Sequence, residues 1–185
     1  MGRLGPMIAA VFTISACSAA LPTVSASATP QDAWTQLAAR PLKLPPYQRG
    51  APCPASSLVE LGSGTAAVAG PGPVFPAGNV IAGYGRAQPD LRRPAKVLWV
   101  ASPNYIGLAL IRGRRLDDST DVHFERSTPP TDLRFPLDTG IRAAGSDQGW
   151  RYLASTVLVP GIGCYGFQID APEWTITVVM RGEAN

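Results

Sequence analysis

Residues 164–181, CYGFQIDAPEWTITVVMR, decide the fold of this 185-residue chain. Side chains alternate between the two faces of a strand, so Tyr165, Phe167 and Ile169 share one face of a strand at 164–170. In a second strand, at 173–181, the apolar face carries Trp174, Ile176, Val178 and Met180. The intervening residues 171–172, Ala-Pro, suit a tight reversal. The stretch therefore predicts an antiparallel hairpin whose apolar face packs into a core.

Upstream of this hairpin, short apolar runs alternate with turn residues. Nineteen Pro and nineteen Gly indicate many turns. Further strands are predicted at 57–61, 65–69, 79–84, 96–101, 106–113, 121–125, 133–137 and 150–159. Many short strands between turns are typical of an all-β domain, either a sandwich or a barrel.

The first 28 residues have the pattern of an export signal. Arg3 is followed by a mostly apolar run, which is shorter and more interrupted than a membrane-spanning helix. Ile14-Ser15-Ala16-Cys17 resembles a lipobox, which predicts a lipoprotein signal at 1–16, a tether at 17–30 and a lipid anchor on Cys17. The alternatives are a signal peptide at 1–28, cut after Ala26 or Ala28, and an uncleaved anchor. Each places the chain outside the cytoplasm, either membrane-anchored at the cell surface or periplasmic face, or secreted or periplasmic.

Length and composition limit the number of domains and the kinds of partner that the remaining chain is expected to have. Without the signal, its length fits one domain with a substantial core. The formal net charge of +3, from 16 basic and 13 acidic residues, gives no argument for a nucleic-acid partner.

Three cysteines become two once Cys17 is assigned to the signal or the lipid anchor. Cys53 and Cys164 then form a predicted disulfide in an oxidising compartment. A metal site is the alternative, but two Cys and the single His123 lie far apart in the sequence. Cys164 lies on the face of its strand opposite Tyr165, so the bond is expected to hold the segment around Cys53 on the outer side of that strand.

Residues 31–52 are predicted to form an extended arm. Residues 31–39 have room for one or two helical turns, with Trp34 and Leu37 on one side. The prolines of 40–46 then enforce an extended chain, along which Leu42 and Leu44 can cover a hydrophobic surface.

Several short motifs resemble one group of proteins. Residues 159–170 combine a Pro-Gly turn with a Gly-Cys-aromatic strand start, and the alternating strand through Trp174 follows. Similar pieces lie at 52–54, 72–76, 96–100 and 113–117. From residue 40 onward the chain resembles uncharacterised exported bacterial (lipo)proteins with an immunoglobulin-like β-sandwich. The resemblance implies such an antiparallel sandwich at 53–185, supports the bond between Cys53 and Cys164, and implies no activity.

The candidate catalytic and metal-binding residues are few. His123 lies in a short strand with Asp121 and Glu125 on its own face, an arrangement more typical of a solvated histidine than of a general base. Asp117, Asp118 and Asp121 could ligate Ca²⁺, but they lack the central Gly and terminal Glu of an EF-hand loop. A polar turn explains them better.

Two further sets of residues are weighed as binding surfaces. A basic strip could bind phosphate or anionic polymers, although scattered arginines on exposed sheet faces are the simpler interpretation; it comprises Arg92, Arg93, Lys96, Arg112, Arg114 and Arg115. Aromatic side chains could contact carbohydrate or protein, although packing explains most of them; they are Trp34, Tyr47, Tyr84, Tyr105, Trp150 and Tyr152. Trp99, Phe167 and Trp174 are assigned to the core.

The sequence therefore predicts an exported, lipid-anchored envelope protein that is a non-catalytic structural or interaction module, with an envelope protein or glycan as partner. No cofactor is expected. One alternative is a secreted carboxylate-dependent hydrolase, with glycans among its substrates. Another is a periplasmic assembly or chaperone-like factor, which an unpaired edge strand would indicate.

Overall fold

The computed structural model describes residues 30–61, 67–83, 86–137 and 149–184. Within these ranges lie one helix and eleven strands. They are α1 (Pro30–Ala38), β1 (Leu58–Val59), β2 (Val68–Ala69), β3 (Val74–Pro76), β4 (Val80–Ala82), β5 (Arg93–Ala101), β6 (Ala109–Arg115), β7 (His123–Phe124), β8 (Leu133–Phe135), β9 (Arg151–Val159), β10 (Gly163–Asp170) and β11 (Thr175–Glu183). The predicted all-β class is confirmed.

The predicted hairpin is present as β10 and β11, paired antiparallel from Gly163–Gly182 to Asp170–Thr175. It forms the centre of a five-stranded sheet with the order β4-β11-β10-β6-β8. A four-stranded sheet, β3-β5-β9-β7, packs against it as the second layer, and β1 and β2 form a small separate pair. The fold is an immunoglobulin-like β-sandwich.

The apolar alternation read from the sequence builds the core between the two sheets. Tyr165, Phe167 and Ile169 of β10 are fully buried there, together with Trp99 of β5. The rings of Trp99 and Phe167 meet edge to face, with centroids 5.5 Å apart. Trp174 packs against the same cluster but is partly exposed.

Glycine allows the closest of these contacts. A Cβ on Gly113 of β6 would lie 2.6 Å from the ring of Phe167, and a Cβ on Gly182 of β11 would lie 2.5 Å from the ring of Tyr165. Each strand therefore carries no side chain where an aromatic ring of β10 crosses it.

Two details differ from the sequence prediction. The sandwich is not wholly antiparallel, because β4 runs parallel to β11, from Val80 opposite Arg181 to Ala82 opposite Glu183. Strand β3 was also not predicted from the sequence, because a three-residue run bounded by prolines is typical of a loop. It lies at a sheet edge, where a proline costs no ladder bond.

The described part of the chain contains no helix that is long and apolar enough to cross a membrane. The predicted signal, the tether and Cys17 lie outside the described residues, as does Tyr84.

Candidate functional site

The outer face of β10 is the most chemically organised part of the molecule. Cys164, Gly166, Gln168 and Asp170 all point away from the core, yet all are buried. They are covered by the predicted arm, which the structure extends by one residue at each end to 30–53 because α1 begins at Pro30 and the disulfide lies at Cys53. Its attachment to this face is built from a disulfide, a buried ionic network and a small apolar cluster.

The structure contains the disulfide that the cysteine count predicts, joining Cys53 to Cys164. It does not cross the core between the sheets, as the disulfide of antibody domains does. It fixes the end of the arm to the start of β10, on the outer side of the strand.

Asp170 is the centre of the ionic network. Its carboxylate is fully buried and lies 2.7 Å from the guanidinium of Arg112 on β6. The hydroxyl of Thr175 donates to it at 2.7 Å, and the side-chain amide of Gln168 donates to both of its oxygens. A buried carboxylate persists only when its charge and lone pairs are met in this way.

The same network binds the backbone of the arm. Arg112 donates to the carbonyls of Ala38 and Arg40 at 3.1 and 2.9 Å. Gln168 accepts the N–H of Lys43 at 2.6 Å and donates to the carbonyl of Pro41 at 3.1 Å. The segment after the helix has no strand partner for these groups, so two side chains supply the bonds that a sheet would otherwise provide.

Arg40 extends the network from the arm to the hairpin turn. Its guanidinium donates to the carbonyls of Ala171 and Pro172 at 2.7 and 2.9 Å, and to the hydroxyl of Thr175. It also lies 3.9 Å from the carboxylate of Asp170. One arm residue thus closes the turn between β10 and β11.

The helix attaches the start of the arm. Trp34 and Leu37, the two residues expected on one side, are buried against Leu108 and Leu110. The guanidinium of Arg134 on β8 lies 5.5 Å from the ring centre of Trp34. The amphipathic turn predicted from the sequence is therefore α1, and its apolar side contacts the five-stranded sheet.

The arm runs in one direction along β6. The chain passes Leu108 and Leu110 first, then Arg112, and reaches Leu116, where Leu44 packs over Gly166. It therefore enters the sandwich at the end formed by residues 102–108, 136–137 and 171–174, here called the anchor end. Residues 116–120 and 160–163 form the opposite end, here called the far end.

Arg151 at the start of β9 ties the loops of the anchor end together. It donates to four backbone carbonyls at 2.8–3.1 Å, those of Tyr105, Gly107, Pro136 and Leu137. Its guanidinium also lies 5.1 Å from the ring centre of Phe135. Ile106 and Leu137, which flank it, are 79% and 51% exposed.

Burial shifts the ionisation of two tyrosines. It raises the pKa of Tyr165 to about 12, and the phenol donates a hydrogen bond to the carbonyl of Gly161. It likewise raises the pKa of Tyr105 to about 12, with the nearby charge of Glu173 adding to the effect. Both phenols are neutral packing groups at neutral pH.

The acidic cluster is a turn, in agreement with the simpler interpretation. Asp117 accepts the N–H of Cys164 at 2.8 Å and lies 3.4 Å from Arg115. Asp118 pairs with the same Arg115 at 3.3 Å, while Asp121 pairs with Arg114 at 2.8 Å. His123 is half-buried in β7, opposite Leu158. Within the described ranges, no three His, Cys, Asp or Glu residues are grouped to hold a metal ion.

The arginines of the basic strip do not form one exposed surface. Arg112 is buried in the arm network, with 13% of its side chain exposed, and Arg115 reaches the two aspartates and the carbonyl of Ile162. Arg92 pairs with Asp90. The expectation of scattered arginines on exposed sheet faces was therefore wrong for Arg112, because the arm covers that face.

Most of the aromatic candidates are packed. Trp34, Tyr105 and Trp150 are buried, whereas Tyr47 and Tyr152 are half-buried. Tyr105 meets Trp174 edge to face at 5.2 Å. The described aromatics form no exposed row for a sugar chain.

Three shallow grooves lie on the described surface. One of about 250 Å³ lies at the far end, between Arg93, Ile162 and Glu183. A second, of about 320 Å³, lies between the arm and β6, beside Leu44, Tyr47 and Arg114. A third, of about 460 Å³, lies beside β9.

Comparison with known proteins shows, at most, a similarity of fold. The chain matches no protein-family model and no curated protein. Among solved structures, it is similar to a candidate lipoprotein from Bacillus anthracis, with 14% identity and a TM-score of 0.45, over 72% of this chain and 88% of that one. It is also similar to the ASH/PapD-like domain 7 of human CEP192, with 10% identity and a TM-score of 0.31, over 70% of this chain and 94% of that one.

Proposed function

We propose that this chain is an exported protein, held on a membrane through an acylated Cys17, that acts as a non-catalytic structural or interaction module of the cell envelope. The observation that carries the proposal is the fixed arm. A helix, a buried ionic network and a disulfide hold residues 30–53 along one face of the sandwich.

A fixed arm suits an anchored domain because it defines where the tether joins the fold. Twelve residues lie between Cys17 and Pro30. The thirteen Cα-to-Cα steps that join the two residues span at most about 45 Å when fully extended. The tether joins the fold at the anchor end, so the far end lies away from the attachment point, where partners can reach it together with the four-stranded sheet. An envelope protein or glycan is the class of partner that these surfaces would meet.

The carboxylates support a non-catalytic role. The aspartates closest together in the sequence are paired with Arg114 and Arg115, and Asp170 is enclosed by the arm. A glycosidase needs two carboxyl groups facing a shared substrate cleft. The carboxylate-dependent hydrolase is therefore the less supported alternative.

Mass spectrometry of the mature protein, isolated from membranes without reduction, tests the anchor. We expect an N-terminus at Cys17 with added acyl mass, and a mass two hydrogens lower for the bond between Cys53 and Cys164. Cys17→Ala should remove the acyl mass and release the protein from the membrane fraction. An unmodified start at Ser27 or Thr29 would contradict the lipid anchor.

An assembly or chaperone-like role is the second candidate, and one observation favours it. Strand β9 has nine residues, but β7 pairs with only two of them. An open strand edge is the feature by which such factors accept a segment of another protein.

A further inference from the structure

One side of β9 is largely unpaired in the described structure. Along its other side, β9 pairs with β5 over all nine residues, from Arg151 opposite Ala101 to Val159 opposite Arg93. On the open side, β7 covers Val157 and Leu158, and the N–H of Glu125 adds one bond to the carbonyl of Thr156 at 2.9 Å. Within the described ranges, no strand pairs with residues 151–155 on this side.

A turn ends the pairing with β7. Immediately after Glu125, Arg126 adopts a left-handed backbone with φ of 64°. The N–H of Ser127 then bonds back to the carbonyl of Phe124 at 3.2 Å. The chain therefore leaves the edge of β9 at this turn, and no strand among the described residues continues along 151–155.

The register identifies the backbone groups on the open side. In an antiparallel sheet, alternate residues direct both their N–H and their C=O to the same neighbour. Because Thr156 faces β7, Ala154 and Tyr152 also face that side. The backbone N–H and C=O groups of Tyr152 and Ala154 therefore point to the open side, at the spacing that a neighbouring strand requires.

A groove of about 460 Å³ runs beside this edge. Its lining includes Val97 and Leu98 of β5, residues 154–156 of β9 and Leu133 of the other sheet, together with the charged residues Lys96, Glu125 and Arg126. Leu133 belongs to β8 of the five-stranded sheet, and its side chain is 8% exposed. The groove therefore reaches from the open backbone to apolar side chains at the rim of the core.

We propose that the open edge of β9 binds an extended peptide segment of a partner protein as an added strand. The backbone of the segment bonds to Tyr152 and Ala154, and one of its apolar side chains occupies the groove beside Leu133. The proposal rests on the interaction role put forward above and names the site and the partner class. A peptide is the matching occupant because only another backbone presents donors and acceptors in this alternation.

Selection of heptapeptides displayed on phage against the full chain tests the proposal. Seven residues span about 23 Å, which is longer than the five-residue edge. The selected peptide is then synthesised and its affinity measured by fluorescence anisotropy. Ala154→Pro removes the outward N–H but no bond to β5, whereas the matched control Ala154→Val keeps that N–H.

We expect Ala154→Pro to weaken binding by about 10- to 30-fold, the effect of one or two backbone hydrogen bonds, and Ala154→Val, which keeps the outward N–H, to weaken it much less. N-methylation of the peptide should weaken binding at alternate positions only. If no peptide is enriched on the wild type, or if both variants bind equally well, the proposal is wrong.

Hydrogen exchange of the wild-type protein keeps the test decisive if Ala154→Pro fails to fold. The amides of Tyr152 and Ala154 should exchange rapidly in the free protein and slowly with the peptide bound. Protection elsewhere but not at these two amides would overturn the proposal. Failure here leaves the lipid anchor untouched, because the mass of the mature N-terminus tests that independently.

Discussion

Strands β9 and β10 follow one another in the chain and are almost equal in length, but their environments differ. β9, RYLASTVLV, is the more apolar in sequence, yet most of its residues are half-buried or exposed. β10, GCYGFQID, carries a carboxylate and an amide, yet it is buried on both faces. Hydropathy alone would rank their burial in the opposite order.

The difference arises from what covers the outer face of each sheet. The arm lies over β10 and brings its own hydrogen-bond partners and its own cation, so polar side chains can be buried there. No comparable segment covers the middle of β9 among the described residues. The comparison teaches that the polar face of a strand can be buried where a second segment supplies its hydrogen-bond partners and its counter-charge.

Among the changes on the side covered by the arm, removing the disulfide should lower the free energy of unfolding the most. Cys53 and Cys164 are 111 residues apart, and opening a loop of this length costs about 5 kcal/mol in the chain-entropy model. Urea denaturation of the double variant Cys53→Ala, Cys164→Ala should show a loss of about this size. Cys17→Ala is the matched control and should leave the free energy of unfolding unchanged. A loss below about 1 kcal/mol would show that the bond contributes little to holding the arm.

Asp170→Ala should have the next largest effect, because it leaves Arg112 buried without a counter-charge. Breaking a buried pair in this way costs about 3–5 kcal/mol. The control is Asp121→Ala, which breaks the half-exposed pair with Arg114 and should cost at most about 1 kcal/mol. Thermal and urea denaturation of both variants would measure the contrast. Equal losses would contradict the central role of Asp170.

Trp34→Ala should loosen the start of the arm at a cost of about 3 kcal/mol, the low end for a packed tryptophan. Gln36→Ala, on the exposed side of the same helix, is the control. Hydrogen exchange should show faster exchange in residues 34–44 and unchanged exchange in β9. Uniform loss of protection would mean that the arm and the sandwich unfold as one unit.

Stability should fall between about pH 10 and pH 12. Below the unfolded pKa of about 10, the phenols are neutral in both states and their contribution is fully present. As the pH rises, the unfolded tyrosines ionise first, because burial raises the pKa of Tyr165 and Tyr105 to about 12. Urea denaturation at pH 9 and pH 11 should show the loss, and Tyr165→Phe should reduce it. An equal loss in that variant would mean that other groups cause it.

The smallest effect is expected on the open side. Leu98 on β5 and Leu110 on β6 both point away from the core, but Leu98 is 36% exposed and Leu110 is 1% exposed beneath α1. Leu98→Ala should change the free energy of unfolding by no more than about 0.5 kcal/mol, whereas Leu110→Ala should cost about 2–4 kcal/mol. Similar losses would show that Leu98 is covered in solution.

Much of the fold could be predicted because alternation and turn residues are local. The hairpin, the amphipathic helix around Trp34 and most strand positions follow from the spacing of apolar side chains. Strand β3 could not be predicted because prolines flank its short apolar run. The parallel pairing of β4 could not be predicted because it depends on β11, about 100 residues away in the sequence. Which strand faces lie open depends on pairing between segments distant in the sequence.

The candidate site could be predicted only in part. The cysteine count indicates the pairing of Cys53 with Cys164, and the strand period places Cys164 on the outer face. Asp170, Gln168, Arg40 and Arg112 gave no such signal, because the contacts that join the arm, β6 and β10 span from 58 to more than 130 residues of the sequence. A run of polar residues at alternate positions in a strand already assigned to the core was the one available hint.

The sequence by itself determined the periodic elements, the core face of the β10–β11 hairpin and the two cysteines available for a bond. These properties depend on residue type and on spacing along a single strand. Only the tertiary structure decided that a polar strand would be enclosed while an apolar neighbour kept an open edge. Burial is a property of the whole packing arrangement. Here one arm satisfies the polar groups of β10, whereas beyond the turn at Arg126 no strand among the described residues pairs with 151–155 of β9.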